Sequence, residues 1–91
     1  MRRKQSKKLP EAAIPMLRYL EDNSPKTQRE IMESLDLPTR TVRYSLRRLL
    51  ERDLIIRIAN LNDMRSVYYQ INPQIVDLNQ VIVQELSIIE T

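Results

Sequence analysis

Residues 39 to 48 read TRTVRYSLRR, and they put four arginines and a tyrosine on one short stretch. Widening the window to Leu37–Ile55 gives five arginines (Arg40, Arg43, Arg47, Arg48, Arg52) against two acids, Glu51 and Asp53. A guanidinium donates two parallel hydrogen bonds to a phosphate or to guanine O6 and N7. A tyrosine adds a ring that can cover a thymine methyl and a hydroxyl that can reach a phosphate. This is recognition chemistry, and the remaining composition points the same way. There is no Cys and no His among the 91 residues, which removes disulfides, nearly all zinc chemistry and most general-base chemistry. The acids show no calcium-loop spacing. Glycine is absent as well, so the phosphate-cradling loops that need it are missing. No cofactor or metal is expected, and an enzyme is the weakest of the functional readings.

The bulk properties agree without deciding the matter. Net charge is +3 and the sequence pI is about 9.5, a mild bias toward polyanions. No apolar run reaches the ~18 residues of a membrane span. No apolar stretch follows the basic start as a secretory signal would require. One small domain is expected, in the cytoplasm and without a membrane partner. Residues 1–8, MRRKQSKK, hold Arg2, Arg3, Lys4, Lys7 and Lys8 with no acid, and are expected to form a flexible arm. That arm either solubilises the chain or tracks nucleic acid.

The elements that must position the arginines follow from periodicity and punctuation. Leu9, Ala12, Ala13, Met16, Leu17 and Leu20 repeat at helical spacing, with Pro15 predicting a kink or the true start of that helix. Thr27 and Glu30 form a T-x-x-E capping box, predicting a helix from about Gln28 to Leu35. Pro38 forces a break, and Thr39 is the expected N-cap of a helix running to about Arg52. Two helices joined this closely make a helix-turn-helix. The β-branched runs at residues 54–59 and 67–71 predict strands, joined by the polar turn NLNDMRS into a hairpin. Pro73 is expected to open a last helix from Gln74 to about Glu90.

Within the arginine helix, Val42, Leu46, Leu49 and Leu50 recur at i, i+4, i+7 and i+8 and define the buried stripe. Tyr44 then stands at the centre of the opposite side. Arg40 and Arg47 flank it on one edge and Thr41 and Arg48 on the other, with Arg43 at the border. An ordinary solvated face held by pairs such as Arg47–Glu51 is the alternative. Glu51 is the only acid within the helix, however, and a central tyrosine gains nothing until something covers it. A helix of this kind fits the ~12 Å major groove of DNA. Arg40, Thr41, Tyr44 and Arg43 are assigned to base or near-base contacts and Arg47 and Arg48 to phosphates, with Thr39 at the helix start counted among the DNA-binding residues. Thr27 and Gln28 are placed near the backbone, where a helix start attracts phosphate.

The run from Ser24 to Ile55, followed by NDMRSVYYQI, resembles winged helix-turn-helix transcription regulators. Among them it is most similar to short archaeal-type members of the MarR family. The resemblance covers roughly residues 10 to 72. It implies a wing that reaches the minor groove through an arginine in an Asp-x-Arg-Ser motif, which here is Asp63, Met64, Arg65 and Ser66. Asp63 can brace Arg65, and a narrow minor groove attracts arginine; a turn-stabilising ion pair is the plainer alternative. The chain departs from the family where glycine is usual, with Asp36 and Asp53 standing in turn and helix-stop positions. Aspartate tolerates a left-handed backbone better than most residues, so Asp53 is expected to be a left-handed helix stop.

The resulting fold class is mainly α with a small β-hairpin. It comprises a basic arm (1–8), a winged helix-turn-helix with a three-helix core (9–73) and a C-terminal dimerisation helix (74–91). That last helix is apolar around most of its circumference, which calls for cover on two sides. Ile75, Leu78, Val81, Ile82, Leu86, Ile88 and Ile89 are the expected dimer residues. The leading reading is a homodimeric, sequence-specific regulator that binds double-stranded DNA, most simply a repressor. A winged-helix protein-interaction module is the second reading, since fold does not fix function. No effector ligand is inferred.

Overall fold

The computed structural model describes residues 9–63 and 65–90, with side chains as far as residue 85. The basic arm 1–8, Met64 of the wing motif, and the side chains of Leu86, Ile88 and Ile89 lie outside the described residues.

The first helix, α1, spans Ala13–Asn23. It begins two residues before Pro15, which therefore sits in the first turn, where its missing N–H has no intrahelical partner to lose. Neither a kink nor a start at Pro15 is needed. Ala13, Met16, Leu17 and Leu20 form its fully buried side. A two-residue strand, β1 (Lys26–Thr27), follows; sequence periodicity gave no sign of it, because two residues carry no alternation. Helix α2 spans Gln28–Leu35 as expected, and its capping box is complete. Thr27 Oγ1 accepts from the Glu30 N–H at 3.2 Å, and the Glu30 carboxylate accepts from the Thr27 N–H at 2.9 Å.

Helix α3 spans Thr39–Glu51. Its N-cap is Pro38, with an extended backbone and no capping side chain, so Thr39 is the first helical residue and not the cap. The connection between α2 and α3 turns at Asp36, whose φ of 54° and ψ of 48° are left-handed. Leu37 N–H then closes back on the Met32 carbonyl. The end of α3 repeats the device. Asp53 has φ 58°, its N–H bonds the Leu50 carbonyl, and Leu54 N–H bonds the Leu49 carbonyl. Those two bonds are the pair that defines a helix stop of the Schellman type. Both aspartates thus do the work expected of glycine.

Strands β2 (Ile55–Ala59) and β3 (Val67–Ile71) form the hairpin, and β1 adds to the free edge of β3. The sheet is antiparallel in the order β1-β3-β2. Leu54 precedes the strand. Its carbonyl accepts from Asn72 N–H, while Asn72 Nδ2 holds the Asp53 carbonyl at 2.9 Å. These bonds lock the base of the hairpin to the end of α3. The core lies between α1, α2, α3 and the inner sheet face. It contains Met16, Leu17, Leu20, Ile31, Val42, Leu46, Leu49, Ile55 and Tyr69. Burying each such aliphatic side chain contributes roughly 1.5–3 kcal/mol.

Helix α4 spans Leu78–Glu90, four residues later than Gln74. Asn72-Pro73-Gln74-Ile75 is a turn, closed by Ile75 N–H on the Asn72 carbonyl. The helix start belongs to Asp77, whose carboxylate accepts from Gln80 N–H at 3.2 Å. Leu78 and Ile82 are buried in the chain's own core, and Ile75 and Val81 pack against it. Of the expected dimer residues, Leu78 and Ile82 are thus covered by the domain itself, and Ile75 and Val81 are covered in part. Arg52 and Glu85 form an ion pair between the end of α3 and α4, and Arg18 bonds Asn79 across α1 and α4.

Candidate nucleic-acid interface

The placement of α3 decides which arginines are available. Val42 and Leu49 are fully buried and Leu46 nearly so, which turns the opposite side of the helix outward. Tyr44 on that side is 53 % exposed. Arg40, Arg43 and Arg47 are exposed around it, and none of them bonds or pairs with any described residue.

Arg48 departs from the expectation. Its side chain is only 18 % exposed and pairs with Glu51 at 2.9 Å, one helical turn away. The acid thus meets Arg48 at i,i+3, and Arg47, which the solvated-face alternative would have paired with it, has no partner among the described residues. Arg52 is likewise committed, to Glu85. The arginines of α3 therefore divide into a free outer group and a structural pair at its end.

The free group borders a groove of 760 Å³ between α3 and the sheet. Gln28, Thr39, Arg40, Arg43, Tyr44, Arg47, Arg57 and Tyr69 line it together with Leu46 and Leu50. Among the described residues four guanidinium groups and no carboxylate face this space, which makes its potential positive. Arg57 was not among the expected residues. It is exposed on β2 and has no partner among the described residues. Its sequence setting, IIRIA, marked it only as the polar member of an apolar strand.

A second groove, of 340 Å³, runs between the start of α2 and the hairpin. It collects Thr27, Gln28, Arg65 and Ser66 as expected, and adds Arg29, Met32, Val67 and Tyr69. The hairpin tip is built around two side chains. Asn60 Oδ1 accepts from Asn62 and Asp63 N–H. Asp63 Oδ1 accepts from Arg65 N–H at 3.1 Å, and Asp63 Oδ2 accepts from Ser66 Oγ. The Arg65 guanidinium is held only at 3.5 Å and is 94 % exposed, so it stands outward at the tip.

Thr41 faces the other way. With Pro10, Glu11, Ala12, Leu37, Arg40, Tyr44 and Ser45 it lines a mainly apolar groove of 660 Å³ on the far side of α3. Tyr44 and Arg40 border both this groove and the basic one, and so form the ridge of the helix. Thr27 is engaged in the capping box. The negative end of that box is Glu30, whose carboxyl is held below its ordinary pKa first by the Thr27 N–H and also by the Thr27 hydroxyl and Lys26.

Comparison with known proteins bears on this geometry. Residues 16–56 match the family described as winged helix-turn-helix DNA-binding. No curated protein sequence matches the chain. A solved S. aureus MepR–DNA complex is similar with a TM-score of 0.71 at 22 % identity, over 91 % of this chain and 68 % of that one. An E. coli MarR mutant complexed with operator DNA gives 0.66 at 22 % identity, over 71 % and 46 %. Bordetella bronchiseptica BpsR, from work on regulation of its DNA binding by 6-hydroxynicotinic acid, gives 0.72 at 24 % identity, over 91 % and 59 %. The chain thus has the winged-helix fold seen in MarR-type regulators, and spans between 46 % and 68 % of the length of these three.

Proposed function

We propose that this chain is a sequence-specific transcription regulator that binds double-stranded DNA and represses by occupying its site. Helix α3 enters the major groove, and the β2–β3 hairpin carries Arg65 to the adjacent minor groove. The observation that supports this most is the partition of the arginines: Arg40, Arg43, Arg47 and Arg57 have no partner among the described residues and surround one groove beside exposed Tyr44. Such a surface repels itself until a polyanion neutralises it. Tyr44, Arg40, Thr39 and Arg43 serve base contacts, and Arg47 serves a phosphate. Arg48, 18 % exposed and paired with Glu51, is given a structural role in this proposal.

The homodimer belongs to the same proposal. Val83 is exposed on α4 and Val76 just before it is 100 % exposed. An apolar strip left uncovered by the domain suits a second copy. No helix among the described residues is long and apolar enough to cross a membrane, and a cytoplasmic location accompanies this reading.

Selection from a pool of random duplexes tests it. A two-fold dimer enriches an inverted repeat whose half-sites lie about one helical turn, ~34 Å, apart. Enrichment of no sequence would remove the claim of sequence specificity. Enrichment of a single half-site would remove the dimer.

A further inference from the structure

The two polar grooves meet. Gln28 and Tyr69 border both of them, so the basic groove under α3 continues into the groove beside the hairpin. Tyr69 is 9 % exposed and its ring belongs to the core. Its hydroxyl makes no hydrogen bond with the described residues, and it is not among the fully buried polar atoms. A core tyrosine ordinarily places its hydroxyl where a polar partner can reach it, and here the available space is the junction of the grooves. Arg57 lies directly opposite Tyr69 in the β2–β3 register. Facing residues of an antiparallel pair have Cβ atoms about 4.5–5.5 Å apart, which puts both side chains on one face of the sheet, and both line the basic groove. Gln28 Nε2 has only a weak contact, 3.9 Å to Met32 Sδ.

We propose that Arg57, Tyr69 and Gln28 form a seat for one phosphodiester of the DNA strand that separates the major groove held by α3 from the minor groove reached by the hairpin. The phosphate is a monoanion with two free oxygens. It takes a charge-assisted bond from Arg57, a second from the Tyr69 hydroxyl and a third from the Gln28 amide. The seat is a positioning contact, fixing how α3 and the hairpin are spaced along the duplex, and it carries no sequence information. It rests on the DNA-binding reading above.

The test measures affinity for a random-sequence duplex at several salt concentrations, using the full chain and the variants Arg57→Gln, Arg57→Lys and Tyr69→Phe. Loss of one phosphate contact makes the slope of log K against log salt shallower by about 0.9, which is expected for Arg57→Gln and not for Arg57→Lys. Tyr69→Phe keeps the ring and is expected to weaken binding about tenfold at every salt concentration, with the slope unchanged. A merely structural role for either residue would lower the melting temperature without these signatures. Variants that bind as the unmodified chain does overturn the seat and leave the DNA reading standing. An unmodified chain that binds no duplex removes both. Inorganic phosphate at matched ionic strength is expected not to compete; competition that depends on Arg57 would assign the seat to the free anion and overturn the proposal.

Discussion

Tyr44 and the arginines beside it show how far residue types and spacing reach. The helical repeat of Val42, Leu46 and Leu49 was sufficient to place Tyr44, Arg40, Arg43 and Arg47 outward, because burial of one stripe fixes the opposite one. It did not reveal that Glu51 takes Arg48, since i,i+3 and i,i+4 partners compete and rotamers decide. Nor did it reveal Arg57, which joins the groove only through the fold of β2 against α3. Two outcomes follow at this scale. Tyr44→Ala should weaken specific binding more than non-specific binding, since a ring contact to bases carries sequence information, whereas Arg47→Ala should weaken both and lower the salt slope by about 0.9. Equal losses for Tyr44→Ala on both kinds of DNA would contradict its base-reading role. Ser45 offers an independent check of the packing. Its hydroxyl is fully buried in α3 with no partner among the described residues. Ser45→Ala removes that unsatisfied group and improves helix propensity, so the chain should gain about 1 kcal/mol, read as a higher melting temperature.

The elements were legible where their ends carry chemistry. The capping box at Thr27 and Glu30, the strand at residues 67–71 and the left-handed stop at Asp53 all stand where the sequence placed them. The misplacements were at ends with competing signals. Pro73 reads as a helix start, yet Asn72 uses its side chain to bind Gln74 N–H and makes a turn, which leaves the start to Asp77. Asp53→Gly should raise stability by about 0.5 to 1 kcal/mol, because relief of the left-handed strain outweighs the entropy glycine adds to the unfolded chain. In a domain of this size that is a shift of a few degrees in melting temperature, and a decrease would refute the assignment. Thr27→Ala should cost about 1 kcal/mol by opening the box. The charge on Glu30 adds a pH dependence whose sign is fixed. Its pKa is lower in the folded state than in the unfolded one, so its contribution is present above the unfolded value and is lost as pH falls through the lowered folded value. The stability difference between the unmodified chain and Glu30→Gln should therefore be largest near neutral pH and vanish in acid.

At the scale of the whole molecule, α1, α2, α3 and the sheet share one core, and α4 joins it through Leu78 and Ile82 and through the Arg52–Glu85 pair. The apolar character of α4 was visible in sequence, but its destination was not. Leu78 and Ile82 close the domain's own core, which takes that side of the helix away from a partner. A dimer must then use the side bearing Val83, and Val83→Glu should shift sedimentation at micromolar concentration from dimer to monomer while preserving the fold. An unmodified chain that sediments as a monomer would end the dimer proposal.

That Arg40, Arg43, Arg47 and Arg57 stand without a partner among the described residues because they face DNA is the claim on which the function rests. Titration of a duplex with the full chain across a range of salt concentrations tests it most directly. Neutralising several phosphates at once predicts tight binding at low salt and a log K that falls steeply and linearly with log salt, by about 0.9 per contact. No binding at low salt, or binding indifferent to salt, would contradict it.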